Sequence, residues 1–326
     1  MMRVVLVGGS GHGFNHLQVW RKLPGLARLV VVGRDEDRLR ELRVQYEVDT
    51  TTDLAAALDG ADLVDIATPT DTHFELARQA VTAGVPTIVE KPPCRDAEQA
   101  RELGVAAGDT PLACVLNYRC SPVWLRAREL VAWGAIGKPL LSMWPVLADN
   151  RHLMVGDGFR ADAARGGGAL LDGAFHIVGL IPWVLGVPLR SVSAWLGRLA
   201  SQPPAGEDSV MAVYEHDGGA AQLTYSWAVP NSARMPAATL VGTDATLLVP
   251  RSAKQPLELI RDRETSEVDL GEYRKLPRND LANALTQFAD DPAATAAKSW
   301  SAAVSIQRIV ELTEQAGAEG VRVALG

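Results

Sequence analysis

The chain opens with an apolar run, Val4-Val5-Leu6-Val7, that breaks directly into Gly8-Gly9-Ser10-Gly11-His12-Gly13. A strand that empties into a glycine loop, with a helix to follow, restricts the fold severely. It is the opening of a βαβ unit, in which the loop leaves helix amides facing outward at the carboxyl end of the strand. The next hundred residues keep the same rhythm. Strand-like runs fall at 4–7, 29–32, 63–67, 87–89 and 112–116, and helical spacing at 38–46, 53–58, 72–83 and 97–107. This alternation predicts a parallel sheet covered by helices on both faces.

The character changes after Asn117. A helix is expected over 122–133, a turn over 134–139, a polar glycine-rich stretch over 149–168 and a helix over 169–185. From 191 to 270 the pattern alternates as strands do, most clearly in 210–214, 221–227 and 239–249. Gly218-Gly219 and Gly242-Thr243-Asp244 read as hairpin turns, so this sheet is expected to be antiparallel. The tail is helical over 280–289 and 299–316. The reading is therefore an α/β domain over residues 1–118, then an α+β domain over 119–326 with a large, mainly antiparallel open sheet. A chain of 326 residues also exceeds what one core usually fills.

Bulk properties exclude several classes. A net charge of −7 without blocks of like charge disfavours a nucleic-acid partner. Cys94, Cys114 and Cys120 lack metal-ligand spacing and read as free thiols of a reducing cytoplasm. The apolar N-terminus is too short for a signal sequence, and no stretch is read as long enough to span a membrane. A soluble cytoplasmic protein with no metal centre is expected.

Five motifs carry chemistry. In the glycine loop, Gly8 makes the tight turn and Gly13 lets the helix approach the sheet. The amides of Ser10, Gly11 and His12 then face a pyrophosphate at the helix N-terminus. Ser10 stands where the usual pattern has its middle glycine. The second strand ends in Val32-Gly33-Arg34-Asp35, where a dinucleotide's ribose is read. Gly33 leaves room, and Arg34 and Arg38 supply cations suited to a 2′-phosphate, which favours NADP. NAD is the alternative, with Asp35 on the ribose. The third motif, Ala67-Thr68-Pro69-Thr70-Asp71-Thr72-His73, bends away from a strand end. The fourth, Ile88-Val89-Glu90-Lys91-Pro92, puts a lysine at a strand end where the ligand crevice of such a sheet lies, with Glu90 to orient it. In the fifth, Gly166-Gly167-Gly168 leads to Asp172 and His176, four apart on a helix, a proton-relay spacing or half a metal site.

Together with His16, Asn117-Tyr118-Arg119 and Gly134-Ala135-Ile136-Gly137-Lys138-Pro139, these motifs resemble the glucose–fructose oxidoreductase/inositol dehydrogenase (Gfo/Idh/MocA) family almost end to end. The resemblance implies an N-terminal Rossmann domain and a C-terminal domain whose sheet forms a homodimer or homotetramer interface. It also implies a cis Lys91-Pro92 bond, with Lys91 as the acid–base lysine, Asp172 as its carboxylate partner and His176 as the active-site histidine. Hydride would pass between a nicotinamide and a carbon of a sugar, cyclitol or keto-sugar. Either Lys91 or His176 would be the immediate base. The dinucleotide contacts it implies are Gly8, Ser10, Gly11, His12, Gly13, Gly33, Arg34, Arg38, Ala67, Thr68, Pro69, His73, Glu90 and Lys91. Asn117, Tyr118, Arg119, Arg160, Asp172 and His176 are the expected substrate contacts. Arg160 suits an anionic substrate or an ion pair with an acid of its own loop. The alternatives are a C=N or C=C reductase on the same frame and a non-catalytic nucleotide-binding sensor.

Overall fold

A computed structural model describes residues 1–156, 158–202, 205–229 and 235–326, so Asp157 of the glycine-rich stretch 149–168 lies outside the described residues. The chain forms two compact units, Met1–Asn117 with Leu281–Ser305 and Tyr118–Asp280 with Ile306–Gly326.

The first unit carries a six-stranded parallel sheet. Its strands are β1 (Met2–Val7), β2 (Leu26–Val32), β3 (Asp49–Thr51), β4 (Leu63–Ile66), β5 (Thr87–Val89) and β6 (Leu112–Cys114), in the order β3-β2-β1-β4-β5-β6. Val4, Val5, Leu6, Val64, Ile66 and Val89 are buried, as strands sandwiched between helices require. Asp65, equally buried, breaks this apolar rule. The short edge strand β3 was not expected; Asp49-Thr50-Thr51 has no apolar run and pairs with β2 only through its backbone. Helices α1 (His12–Trp20), α2 (Glu36–Tyr46), α3 (Leu54–Leu58), α4 (His73–Thr82) and α5 (Ala97–Ala107) join the strands. The side chains of Asp35, Asp53 and Asp96 accept the N–H groups of Arg38, Ala56 and Gln99, capping α2, α3 and α5. The strand order reverses between β1 and β4, which makes their carboxyl ends the place for a ligand.

A single division after residue 118 would leave Leu281–Ser305 with the second unit, whereas its contacts lie in the first. Helix α8 (Asp280–Asp290) and the start of α9 (Pro292–Glu319) fall in this segment, after α6 and α7 described below. Trp300 and Val304 pack against the first unit's core, and Ser299 Oγ accepts the Cys114 N–H at 3.1 Å. Sequence order hides such a return of the chain.

In the second unit, α6 (Pro122–Ala132) precedes β7 (Pro139–Leu147), and α7 (Phe175–Leu185) precedes β8 (Leu189–Gly197). Strands β9 (Ser209–His216), β10 (Gly219–Ser226), β11 (Ala238–Gly242), β12 (Thr246–Val249), β13 (Leu257–Arg261), β14 (Glu264–Val268) and β15 (Val323–Ala324) complete it. The nine strands run β14-β13-β12-β11-β7-β10-β9-β8-β15. Every neighbouring pair is antiparallel except β7 and β10, which long intervening chain allows to run parallel. Trp144, Tyr214, Leu223, Leu240 and Leu247 are buried on one face. On the other, Leu141, Met143, Trp195, Met211 and Val213 are exposed.

The helix expected over 169–185 is divided into a π-helical turn, Ala169–Ala174, and α7. One expectation is corrected here: the 23-residue stretch Ala163–Leu185, a 3-10 turn separated by Gly166–Gly168 from the π turn and α7, is long and apolar enough to cross a membrane by length and composition. Its apolar side chains, among them Phe175, Val178, Leu180 and Ile181, are buried in the unit, and a core helix has the same composition as a span.

Candidate active site

In the first unit the expected dinucleotide residues gather at the carboxyl ends of β1, β2, β4 and β5. Gly8 has φ of 107°, a conformation L side chains avoid, and a Cβ on it would lie 2.6 Å from the Ala67 carbonyl oxygen. A Cβ on Gly13 would lie 2.4 Å from the Gly8 carbonyl oxygen. These two positions close the loop against the sheet, while around Gly11 there is open space. No side chain caps α1 and no acidic residue occupies its first turn. Its leading amides and positive dipole end are thus left for an anion, and the cradle fits a dinucleotide's diphosphate.

At the end of β2 the two arginines part company. Arg38 pairs with Glu41 at 2.9 Å and lies over the Phe14 ring, while Asp35 is occupied in capping α2. Arg34 is exposed beside Gly33 and makes no ion pair among the described residues. After β4, Ala67 donates to the Val7 carbonyl at 2.9 Å, and the Thr72 hydroxyl is 2.7 Å from both the Thr68 hydroxyl and the Pro69 carbonyl. His73 is buried: Nδ1 is 2.9 Å from the Pro92 carbonyl and Nε2 is 2.8 Å from the Thr68 carbonyl. Burial pushes its pKa down, against these two carbonyls. It therefore brackets the loops that follow β4 and β5, from within.

Lys91 follows β5, is half-buried, and precedes proline through a cis bond. Its N–H donates to Glu90 Oε2 at 3.0 Å. Behind it lies a group that the motif reading missed. His16 Nδ1 is 2.7 Å from Asp65 Oδ2, and His16 Nε2 is 3.0 Å from Glu90 Oε1. The Trp20 indole N–H donates to the same Asp65 oxygen at 2.6 Å. Burial opposes the charge on His16, but Asp65 and Glu90 outweigh it and hold the pKa at about 10. Burial likewise opposes Glu90's charge, and His12 and His16 keep its carboxyl well below the usual range. His12, His16 and Glu90 each bring a ligand atom within 4.8 Å of the others. The sequence reading expected no metal ligand set. Both His16 nitrogens already face carboxylates. The signal for this group was Asp65 itself, a lone acid in a buried apolar strand, which needs a cationic partner.

Asn117 ends this unit with Oδ1 buried and lacking a hydrogen-bond partner among the described residues.

In the second unit the remaining expected residues cluster around irregular backbone. Asp172, on the π turn, is buried and paired with the half-buried Arg160, whose Nε donates to Oδ2 while Nη2 is 3.5 Å from Oδ1. The partner foreseen for Arg160 was a substrate anion or an acid of its own loop; it is the expected catalytic carboxylate. His176 stacks on Tyr118, with centroids 4.4 Å apart and planes at 11°. Arg119 donates to the Gly179 carbonyl at 3.0 Å and lies over the Trp183 ring, which builds it into the frame of α7. Two residues escaped the sequence reading. Tyr225 packs against Gly173 so closely that a Cβ there would lie 2.4 Å from its hydroxyl. Trp227 donates its indole N–H to that hydroxyl at 3.1 Å. Burial first, then Tyr118 and Asp172, push the Tyr225 phenol up, with Trp227 and Arg160 opposing. Glu207 Oε1 accepts the Leu170 N–H at 2.7 Å and so secures the start of the π turn.

A doubly wound sheet with an uncapped glycine cradle and a lysine at a strand end defines a dinucleotide-binding protein. Comparison with known proteins makes this specific. Residues 2–118 match the oxidoreductase family with an NAD-binding Rossmann fold, and residues 124–248 match the GFO/IDH/MocA C-terminal domain. The chain belongs to the Gfo/Idh/MocA family. Inositol 2-dehydrogenase 4 of Saccharopolyspora erythraea is 28% identical over 214 residues, which cover 63% of this chain and 60% of that relative. The chain thus aligns with about three fifths of that protein's length. An oxidoreductase domain protein from Kribbella flavida shares the fold with a TM-score of 0.86 at 22% identity, each chain fully covered. A levoglucosan dehydrogenase solved with NADH and levoglucosan gives 0.85 at 20% identity, with 99% of each chain covered.

Proposed function

We propose that this chain is a nicotinamide-dependent dehydrogenase that interconverts CH–OH and C=O on a sugar or cyclitol, with NADP preferred to NAD. The observation that carries the reading is the pairing, in one sheet, of an uncapped glycine cradle after β1 with Glu90-Lys91-cis-Pro92 after β5. The diphosphate would lie on the amides from Ser10 to Gly13. Arg34, exposed and without an ion pair beside Gly33, supports recognition of a 2′-phosphate. Glu41 already engages Arg38, leaving it a lesser part. Thr68, Pro69 and Glu90 would line the same cleft, with His73 shaping it from beneath.

When bound, the cofactor supplies or accepts hydride at the nicotinamide ring. The protein's part is to hold the substrate and move one proton. We assign that proton to Lys91 and His176. In oxidation, one takes it from the reacting hydroxyl and the other holds that hydroxyl; in reduction the direction reverses. Asp172, ion-paired with Arg160, would accept a hydrogen bond from a neighbouring hydroxyl, as a vicinal diol offers. Tyr118, Asn117 and Tyr225 add the aromatic face and polar tips that carbohydrates favour. Inositol and levoglucosan, a cyclitol and a sugar derivative, stand in the names of two of the proteins given above, which supports this substrate class.

We further propose a cytoplasmic homodimer or homotetramer joined through the outer face of the large sheet. Register places Leu141 and Met143 of β7 on the same face as Val213 and Met211 of β9 and Trp195 of β8. An exposed apolar patch of this kind is what such an interface needs. Met143→Lys should yield monomers by sedimentation velocity; unchanged oligomers would move the interface elsewhere.

The decisive experiment follows tryptophan quenching as purified, cofactor-free protein is titrated with NADPH and with NADH. Cyclitols and aldoses are then screened with whichever oxidised dinucleotide binds better. Tighter NADPH binding and turnover of a polyol are expected. Tighter NADH binding reverses the cofactor preference, and binding of neither overturns the reading.

A further inference from the structure

We propose that His16, clamped between Asp65 and Glu90, is a positioning residue for Lys91: it fixes Glu90 as a carboxylate and thereby the turn and charge environment in which Lys91 works. This rests on the assignment of proton transfer to Lys91.

The hydrogen bonds make the case. Each ring nitrogen of His16 faces a carboxylate oxygen, and an ionised carboxylate only accepts. With both acids ionised, both nitrogens carry hydrogen and His16 is an imidazolium. A neutral ring would leave one carboxylate oxygen against a nitrogen lone pair in a dry interior, where unpaired polar groups are most costly. Asp65 receives His16 and Trp20 on the same oxygen, which orients the imidazolium from behind. Glu90 receives His16 on Oε1 and the Lys91 N–H on Oε2, so one carboxylate ties the buried cation to the backbone of the lysine.

Among the described residues, charged or titratable groups face this arrangement from α1, β4, the end of β5 and α4. From α1 come His16 and His12, the latter 3.3 Å from Glu90 Oε1 and largely exposed. From β4 comes Asp65, from the end of β5 come Glu90 and Lys91, and from α4 comes His73, which feels the charges of Glu90 and Lys91. Two acids and two bases of opposite sign, Asp65 and Glu90 against His16 and Lys91, balance. Removing the imidazolium leaves Glu90 buried beside a single exposed histidine, and a carboxyl so placed takes up a proton at higher pH than in the wild type.

The test has a spectroscopic and a kinetic part. Protein labelled with 15N-histidine, studied by long-range 1H–15N correlation, should show one ring with both nitrogens protonated from pH 6 to pH 9. A neutral His16 at pH 7 overturns the proposal. Kinetics use the polyol turned over fastest in the screen above. His16→Gln should bind NADPH within about threefold of wild type, lose at least tenfold in kcat, and acquire an acid limb in kcat that the wild type lacks. Glu90→Gln should lose kcat without that limb, and the double variant should lose no more than Glu90→Gln alone. Should His16→Gln not fold, Asp65→Asn leaves an acceptor for Nδ1 and should show a smaller shift in the same direction. A kcat profile parallel to wild type in the folded variant overturns the positioning role. Lys91→Ala, measured alongside, separates the two failures: full activity there overturns the lysine assignment instead.

Discussion

The two units hold their charged groups in opposite ways. In the first, His16, Asp65 and Glu90 stand on or directly after regular elements, lie out of solvent, and answer one another's hydrogen bonds. In the second, Asp172, Arg160 and Tyr118 stand on a π turn and short 3-10 turns, with His176 in the first turn of α7 directly after the π turn, and several remain partly exposed. Regular backbone suits groups whose task is to fix others, because neighbouring strands and helices set their positions to a fraction of an ångström. Irregular backbone aims side chains that a straight helix or strand would point elsewhere, and π turns recur at functional sites for this reason. Charge in the first unit is thus held as a frame, and charge in the second is arranged as the proposed function requires of a surface for a ligand.

The sharpest test of that contrast compares one residue from each. Lys91→Ala removes the group proposed to carry the proton at the rim of the frame and should lower kcat by about 10²–10⁴-fold while NADPH binding persists. Asp172→Asn should instead raise KM for the polyol as well as lower kcat, since it alters the hydrogen bond proposed to meet the substrate and strands Arg160 without its charge partner. Steady-state kinetics on the same polyol distinguish them. Equal and parallel effects on kcat alone would erase the division between frame and surface.

Next in size is Asp65→Ala. It leaves the His16 imidazolium with one carboxylate and the Trp20 indole with no acceptor. Breaking a buried ion pair from one side costs about 3–5 kcal/mol. Urea unfolding should register that loss, and a change below about 1 kcal/mol would mean that water or a rearranged side chain replaces Asp65.

How much of this could be read from residues alone follows the same contrast. The alternation of the first 117 residues, the glycine loop and the lysine after β5 were readable because each depends on local pattern. Asp65 is a lone acid in an apolar strand, and its partners are not legible locally because His16 and Trp20 lie 49 and 45 residues away. His16 appeared only as part of the family likeness, since its partners lie 49 and 74 residues away. Asp172 and His176 were readable as a pair on one helix. The π turn beneath Asp172 was not, because it arises where Tyr225 of a distant strand crowds Gly173. The return of Leu281–Ser305 to the first unit was unreadable for the same cause: long-range packing overrides sequence order.

The frame should also announce itself through pH. His16 has a folded pKa of about 10, above its ordinary 6.5. Its contribution to stability is therefore complete below about pH 6.5 and is lost as pH rises through about 10. Glu90 is shifted the other way, below its ordinary 4.5, so its contribution is present above that value and fades as pH falls through the folded pKa. Wild type should exceed His16→Gln in stability most clearly between about pH 5 and 6.5, and the two should converge toward pH 10. Paired urea titrations across that range measure it, and a constant difference at all pH values would mean that His16 contributes by packing alone.

The smallest effect belongs to the surface. Trp227→Phe keeps the aromatic bulk beside Tyr225 but removes the indole N–H that donates to its hydroxyl. A neutral hydrogen bond of this kind is worth about 0.5–1.5 kcal/mol, so stability should fall by no more than that. The kinetic consequence is more telling. Trp227 orients the Tyr225 oxygen, and Tyr225 in turn packs on the π turn that carries Asp172. If the second unit's cluster is a surface shaped for a polyol, freeing that hydroxyl should raise KM a few-fold and leave kcat and NADPH binding nearly unchanged. A fall in kcat at constant KM would instead make Tyr225 part of the proton path, and the cluster more than a binding surface.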